Sequence, residues 1–254
     1  MVGGASPLLK RRAAAGAALL AVLVAYYTWQ GSLPRLGLWG DIAFVALVLI
    51  PGVFALVWFA LPARGARWVL PAAGLAVALA VVLQQVHAPI PANFLKLAAT
   101  TTIAFWFLGF FESISWVALV ALIIPWVDAY SVWRGPTHHI IKHEQHLFSL
   151  LSFAFPVPGE HGAANLGVPD LLFFALFLAA AARWRLRVGW TWLALTASLG
   201  GTMALAVWLG LAGLPALPGL SLGFLVPNAD LVWRHVRAEL RRHASGTDTP
   251  RTSR

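Results

Sequence analysis

The sequence has no cysteine, nine acidic residues and only 11 % charged positions among 254. Without thiols there is no disulfide, no thiolate nucleophile and no cysteine-ligated metal, so any chemistry rests on carboxylates and imidazoles. The pattern of a zinc protease is also missing, because HEQHL at 143–147 carries Leu147 where the second histidine of HExxH belongs. Scarce charge combined with 60 % hydrophobic residues excludes an ordinary water-soluble globule. Several stretches instead approach the roughly 20 apolar residues that cross a bilayer.

Apolar runs bounded by charge, proline and glycine predict an all-α, polytopic membrane protein with about eight transmembrane helices. They fall near 13–30, 39–61, 68–87, 92–110, 113–133, 167–183, 188–211 and 214–233. The fourth and fifth are divided only by Gly109 to Ser113. The first run follows Lys10, Arg11 and Arg12 and lacks a small-x-small cleavage site before YYTWQ, so it reads as a membrane helix, not a leader. Residues 1–112 form an N-terminal helical region that serves as scaffold or substrate access. Residues 113–233 form a second region with an outer loop at 134–166, and 234–254 is a basic tail.

The net charge of +9 does not point to nucleic acid, because the cations flank apolar runs instead of building one polar domain. Alternating the eight runs puts fourteen cations on one side, including Arg64, Arg67, Arg183, Arg185, Arg187 and those of the tail. Only Arg35, Lys96, Arg134 and Lys142 fall on the other. The first side is then cytoplasmic, with both termini inside a cell membrane, and an Arg-, Ala- and Gly-rich composition suggests a prokaryotic one.

Five acids sit in or at the edge of apolar runs. Asp41 follows a glycine at a helix start, Glu112 lies in a tight turn, and Asp230 lies beside Arg234, all of which suit structural roles. Asp128 and Asp170 differ. Asp128 lies six residues, about 9 Å, inside the outer end of its helix, and Asp170 opens the helix that re-enters from that side. A carboxylate at such depth costs about 2.5–3.5 kcal/mol on insertion scales and usually serves function. Two carboxylates sharing a site hold one proton between them, which suits activation of water against a peptide carbonyl. The third feature, LPALP at 214–218, starts the last helix at the same outer level, where prolines remove backbone donors.

Together, WVDAYSV around Asp128, LGVPD ending in Asp170, and Pro215, Ala216 and Leu217 resemble the three motifs of the GxGD intramembrane aspartyl proteases, the family of presenilin and signal peptide peptidase. Order and spacing agree over roughly 113–233. Val127 stands where the family has tyrosine, although Tyr130 is near, and Pro169 replaces the second glycine. The resemblance implies a helical bundle of that family's type and a hydrolase that cleaves transmembrane helical peptides. It implies Asp128 and Asp170 as the catalytic pair, with Pro215, Ala216, Leu217, Gly167 and Tyr130 around the substrate. No cofactor, metal or nucleic acid is required. The derived orientation resembles signal peptide peptidase, so substrates would be signal-peptide remnants or type II anchors.

Other readings use the same residues. A catalytically silent homologue binds membrane helices, and a proton-coupled transporter uses the aspartates as a relay. A prepilin-peptidase-like enzyme fits less well, because LLFFALF follows Asp170 where a basic residue is expected. In the outer loop, His138, His139, His143, His146 and His161 with Glu144 and Glu160 read as solvated, and LFSLLSFAF at 147–155 as a membrane-surface gate.

Overall fold

A computed structural model describes residues 7–134, 151–211 and 214–246 of the chain. It is mostly helical, with 81 % helix and 5 % strand, which supports the helical class and leaves room for one small sheet that the sequence reading omitted. The helices are α1 (Pro7–Trp29), α2 (Leu38–Phe44), α3 (Ile50–Ala60), α4 (Val69–Gln85), α5 (Pro89–Phe107) and α6 (Ile114–Arg134). After the strands β1 (Ser152–Pro156) and β2 (Ala163–Gly167) come α7 (Val168–Arg183), α8 (Val188–Trp208), α9 (Leu217–Leu225) and α10 (Ala229–Gly246).

Among the described residues, four helical stretches are long and apolar enough to cross a membrane: Leu38–Gly65, Pro89–Phe110, Ile114–Ser131 and Val188–Trp208. The first joins α2 to α3 through a π-helical turn at Val45–Leu49. There α8 comes so close that a Cβ on Gly200 would sit 3.0 Å from the Ala46 Cβ, the kind of approach small residues allow between packed helices. The outward surface of these helices and of the shorter α4 is apolar, with Leu47, Leu122 and Leu193 exposed on the former and Leu75 and Val82 on the latter.

The last predicted helix is not one continuous apolar segment. It breaks at a 3₁₀ turn, Val226–Asn228, where Pro227 cannot donate a backbone bond. Beyond the break α10 is basic and runs well past residue 233 into the predicted tail. The division at Gly109 to Ser113 does occur: α5 ends in a 3₁₀ turn, Leu108–Phe110, and α6 starts at Ile114.

The core is built around α7. Phe174 through Ala181 have no exposed surface, as expected of a helix that is apolar on every side. Phe174 packs on Phe54 of α3 with ring centroids 4.0 Å apart, and Phe177 stacks on Phe224 of α9. The run LLFFALFLAAAA is therefore the central post of the bundle, and Asp170 sits in its first turn.

The two ends of the bundle differ. At one end Arg183 donates to the Leu108 carbonyl (2.6 Å) and Arg64 to the Ala182 carbonyl (3.4 Å). Arg187 at the same end makes two bonds to the Asp230 carboxylate, at 2.7 and 2.9 Å. The opposite end carries the hairpin.

Candidate active site

The hairpin pairs β1 and β2 antiparallel, with Ser152 opposite Gly167 and Ala154 opposite Asn165. Its sequence signal was SFAFP and AANLG around the turn residues VPGEHG. This corrects the reading of 147–155 as a surface gate: within the described part, Phe153 is buried against Tyr27 and Phe94 and Phe155 is buried beside Phe153, because their rings alternate onto the bundle face of the strand. At the tip, Gly159 adopts φ 68°, and a Cβ there would lie 2.5 Å from the Leu33 carbonyl oxygen, so only glycine lets the tip dock on the loop after α1. Arg35 completes the dock by donating to the Gly159 carbonyl (3.2 Å).

Side chains take the place of a third strand along β1. Asn93 of α5 accepts from the Ala154 N–H (3.0 Å) and donates to the Ala154 carbonyl (2.9 Å), as a paired backbone would. Tyr27 also donates to that carbonyl (2.8 Å), Tyr26 to the Pro156 carbonyl (2.7 Å), and Lys96 to the Ser152 carbonyl (3.2 Å). Even-numbered residues of β1 thus point their backbone groups away from β2, into the scaffold. Sequence reasoning assigned no role to Tyr26, Tyr27, Asn93 or Lys96. The polar residues themselves, in otherwise apolar helices, were the available signal.

The register then fixes the other edge. Ala163, Asn165 and Gly167 oppose the outward-facing residues of β1, so their backbone groups point away from the ladder. The Gly167 N–H bonds to the Asp170 carboxylate, whereas no described residue pairs with the backbone of Asn165. The free edge of β2 therefore leads directly to Asp170.

Asp170 is the third residue of α7 and reaches back to Gly167, its N-cap, which is half of a capping box. Pro169 occupies the second position, where the missing N–H is no loss. A Cβ on Gly167 would lie 3.2 Å from Asp170 Oδ2, so glycine gives the carboxylate room to fold over the turn. Asp128 comes from α6, one turn after Pro125, whose ring leaves the Ala121 carbonyl without its helical donor. Asp128 Oδ2 accepts the N–H of Leu217, the first residue of α9, at 3.0 Å.

Helices α6, α7 and α9 pack on one another, and the Asp128 and Asp170 carboxylates lie within electrostatic range of each other. Ala216 and Leu217 are buried and Pro215 half-buried in the irregular segment ahead of α9. Tyr130 is 67 % exposed and, two residues beyond Asp128, projects from the far face of α6. Four of the five residues expected around a substrate thus gather at the aspartates, and Tyr130 does not.

Asp41, at 8 % exposure, is buried in α2 behind Gly37, with Oδ1 unpartnered among the described residues. Glu112 lies in the turn before α6. His161 and Glu160 belong to the hairpin turn, whereas His138, His139, His143, His146 and Glu144 lie outside the described residues. Among the described residues no group of three or more His, Asp or Glu side chains is arranged to hold a metal. Outside the apolar spans, hydrogen bonds from Arg187 and then Arg234 hold the Asp230 carboxyl down at about 2. Comparison with protein-family models, with curated proteins and with solved structures gave no match.

Proposed function

We propose that this chain is an intramembrane aspartic endopeptidase that uses Asp128 and Asp170 to hydrolyse peptide bonds within transmembrane helices. The observation that carries the reading is that Asp128, held by the Leu217 amide, lies within electrostatic range of Asp170, which is held by Gly167 at the end of β2. In this reading the eight apolar segments all cross the bilayer, the last as the irregular segment from 214, α9 and the 3₁₀ turn taken together, and the arginine-rich end faces the cytoplasm.

A peptide bond inside a helix is closed to water, so a substrate must unwind, and unwound backbone in a membrane needs new partners. The outward N–H and carbonyl of Asn165 supply them as an added strand. This sets the scissile carbonyl beside Gly167 and Asp170. One aspartate is ionised and takes a proton from water as the oxygen attacks the carbonyl carbon. The other donates its proton to the carbonyl oxygen, giving a diol. The aspartate now protonated gives its proton to the amide nitrogen while the other takes one from a diol hydroxyl, so the C–N bond breaks, a carboxylic acid and an amine leave, and the pair regains its single shared proton. The Leu217 N–H steadies Asp128 throughout, and no covalent intermediate forms.

A capping role competes with this reading, since each aspartate accepts an N–H at a helix start. Asparagine caps helices about as well as aspartate but cannot act as a base. Purified protein in detergent, incubated with single-helix substrates of cytoplasmic N-terminus and followed by mass spectrometry, is the test. Cuts inside the apolar segment are expected. A folded protein that cuts none of a panel overturns the reading in favour of a silent helix-binding homologue or a proton-coupled transporter.

A further inference from the structure

Around the axis of α10 three faces follow in order. Val232 and the half-buried Val236 turn toward the bundle, and Glu239 accepts a hydrogen bond from the Ser115 hydroxyl at the start of α6. Next comes an exposed apolar stripe of Trp233 and Leu240, at 57 % and 63 % exposure, seven residues apart and therefore nearly aligned. Beyond the stripe lie the exposed Arg234, Arg237 and Arg241. The Arg237 guanidinium sits over the Trp233 ring, 5.3 Å from its centroid.

Leu222 of α9 and Val226 of the 3₁₀ turn that follows are also exposed, at 61 % and 68 %. Ion pairs of Asp230 with Arg187 and Arg234 hold the start of α10 against α8, so its direction is fixed. At the same end, Arg11 and Arg12 line a cleft of about 540 Å³ with Leu8, Leu9, Phe59 and Pro62. Cationic groups next to apolar ones thus recur around this end of the bundle.

We infer that α10 is an interfacial helix that binds anionic lipid headgroups, with Trp233 and Leu240 in the acyl boundary and Arg234, Arg237 and Arg241 at the phosphates. An apolar stripe alone would suit any bilayer surface. The adjacent arginine row selects one carrying negative charge, worth about fivefold in local enrichment for each arginine at a phosphate. Indole and guanidinium both favour the headgroup level, and Arg237 over Trp233 brings the two together there. The inference rests on the proposed membrane embedding but not on the protease chemistry.

The absence of cysteine makes a single Leu240→Cys variant a unique site for a fluorophore. Full-length protein in phosphatidylcholine nanodiscs then receives a trace of doxyl-labelled phosphatidylglycerol or doxyl-labelled phosphatidylcholine as quencher. The anionic quencher should act more than tenfold more strongly at low salt. That preference should fall by more than tenfold in the Arg237→Gln/Arg241→Gln background, persist in Arg237→Lys/Arg241→Lys, and fade near 1 M salt, where the Debye length is about 3 Å. Both Gln changes leave the Asp230 pairs intact. Equal quenching by the two lipids overturns the anionic preference, and no quenching by either overturns the interfacial position. A label at Leu75→Cys, on the exposed face of α4, separates the two readings: quenching there by both lipids keeps the membrane embedding even if α10 fails.

Discussion

The two edges of one short hairpin are treated in opposite ways. Along β1, outward backbone groups meet Tyr26, Tyr27, Asn93 or Lys96, so that edge is tied to α1 and α5. Along β2, the outward groups of Asn165 meet no described side chain, and the edge ends at the Gly167–Asp170 contact. A bundle that needed the hairpin only as a plug would satisfy both. In the proposed reading one edge is scaffold and the other receives the substrate chain.

Breaking the scaffold edge should have the larger effect on folding. Asn93→Leu orphans the half-buried Ala154 N–H, which costs roughly 1–3 kcal/mol. A lower melting temperature and faster proteolysis of the hairpin in detergent would register it. Next is Gly167→Ala. Its φ of −62° and ψ of 147° suit alanine, so stability should hold while the added methyl displaces Asp170. Cleavage should drop by about tenfold, less than the ~10²-fold tied to 1 Å misplacements. Asn165→Pro removes an outward N–H together with long side-chain hydrogen bonds to the Ser152 hydroxyl (3.5 Å) and the Ala163 carbonyl (3.4 Å), and edge strands tolerate proline there. It should raise KM about two- to tenfold, the worth of one net hydrogen bond, with kcat and melting temperature nearly unchanged. If Asn165→Pro unfolds the protein as Asn93→Leu does, the contrast between the edges fails.

The smallest effect belongs to the far end. Because Arg187 and Arg234 depress Asp230 to about 2, the stability it contributes is fully present above the ordinary carboxylate range, near pH 4. It is lost only as pH falls through about 2. Protease accessibility of α10 should therefore stay flat from pH 8 to pH 5 and rise only in strong acid.

Much of this was legible in the chain. Apolar runs located the helical segments, and the depth of Asp128 and Asp170 marked them as carboxylates with a reason to meet. The hairpin was not legible as a gate-or-strand choice, because SFAFP is short and apolar and its meaning comes from Asn93, some sixty residues earlier in the chain. Nor could spacing show that the Leu217 amide reaches Asp128, a contact across 89 positions. The break at Pro227 was visible as a proline but was read through, since apolar character continues on both sides of it. Tyr130 was expected at the site because it is near Asp128 in sequence. Helical geometry turns it away.

The most direct test of the aspartate pair is to measure cleavage and melting temperature together for Asp128→Asn and Asp170→Asn. Both variants keep an oxygen able to cap α9 or α7, so melting temperatures close to the parent are expected. Each should lower cleavage by about 10²–10⁴-fold, the range of general acid–base catalysis. Cleavage that survives in either folded variant would contradict the account and reduce that aspartate to a helix cap.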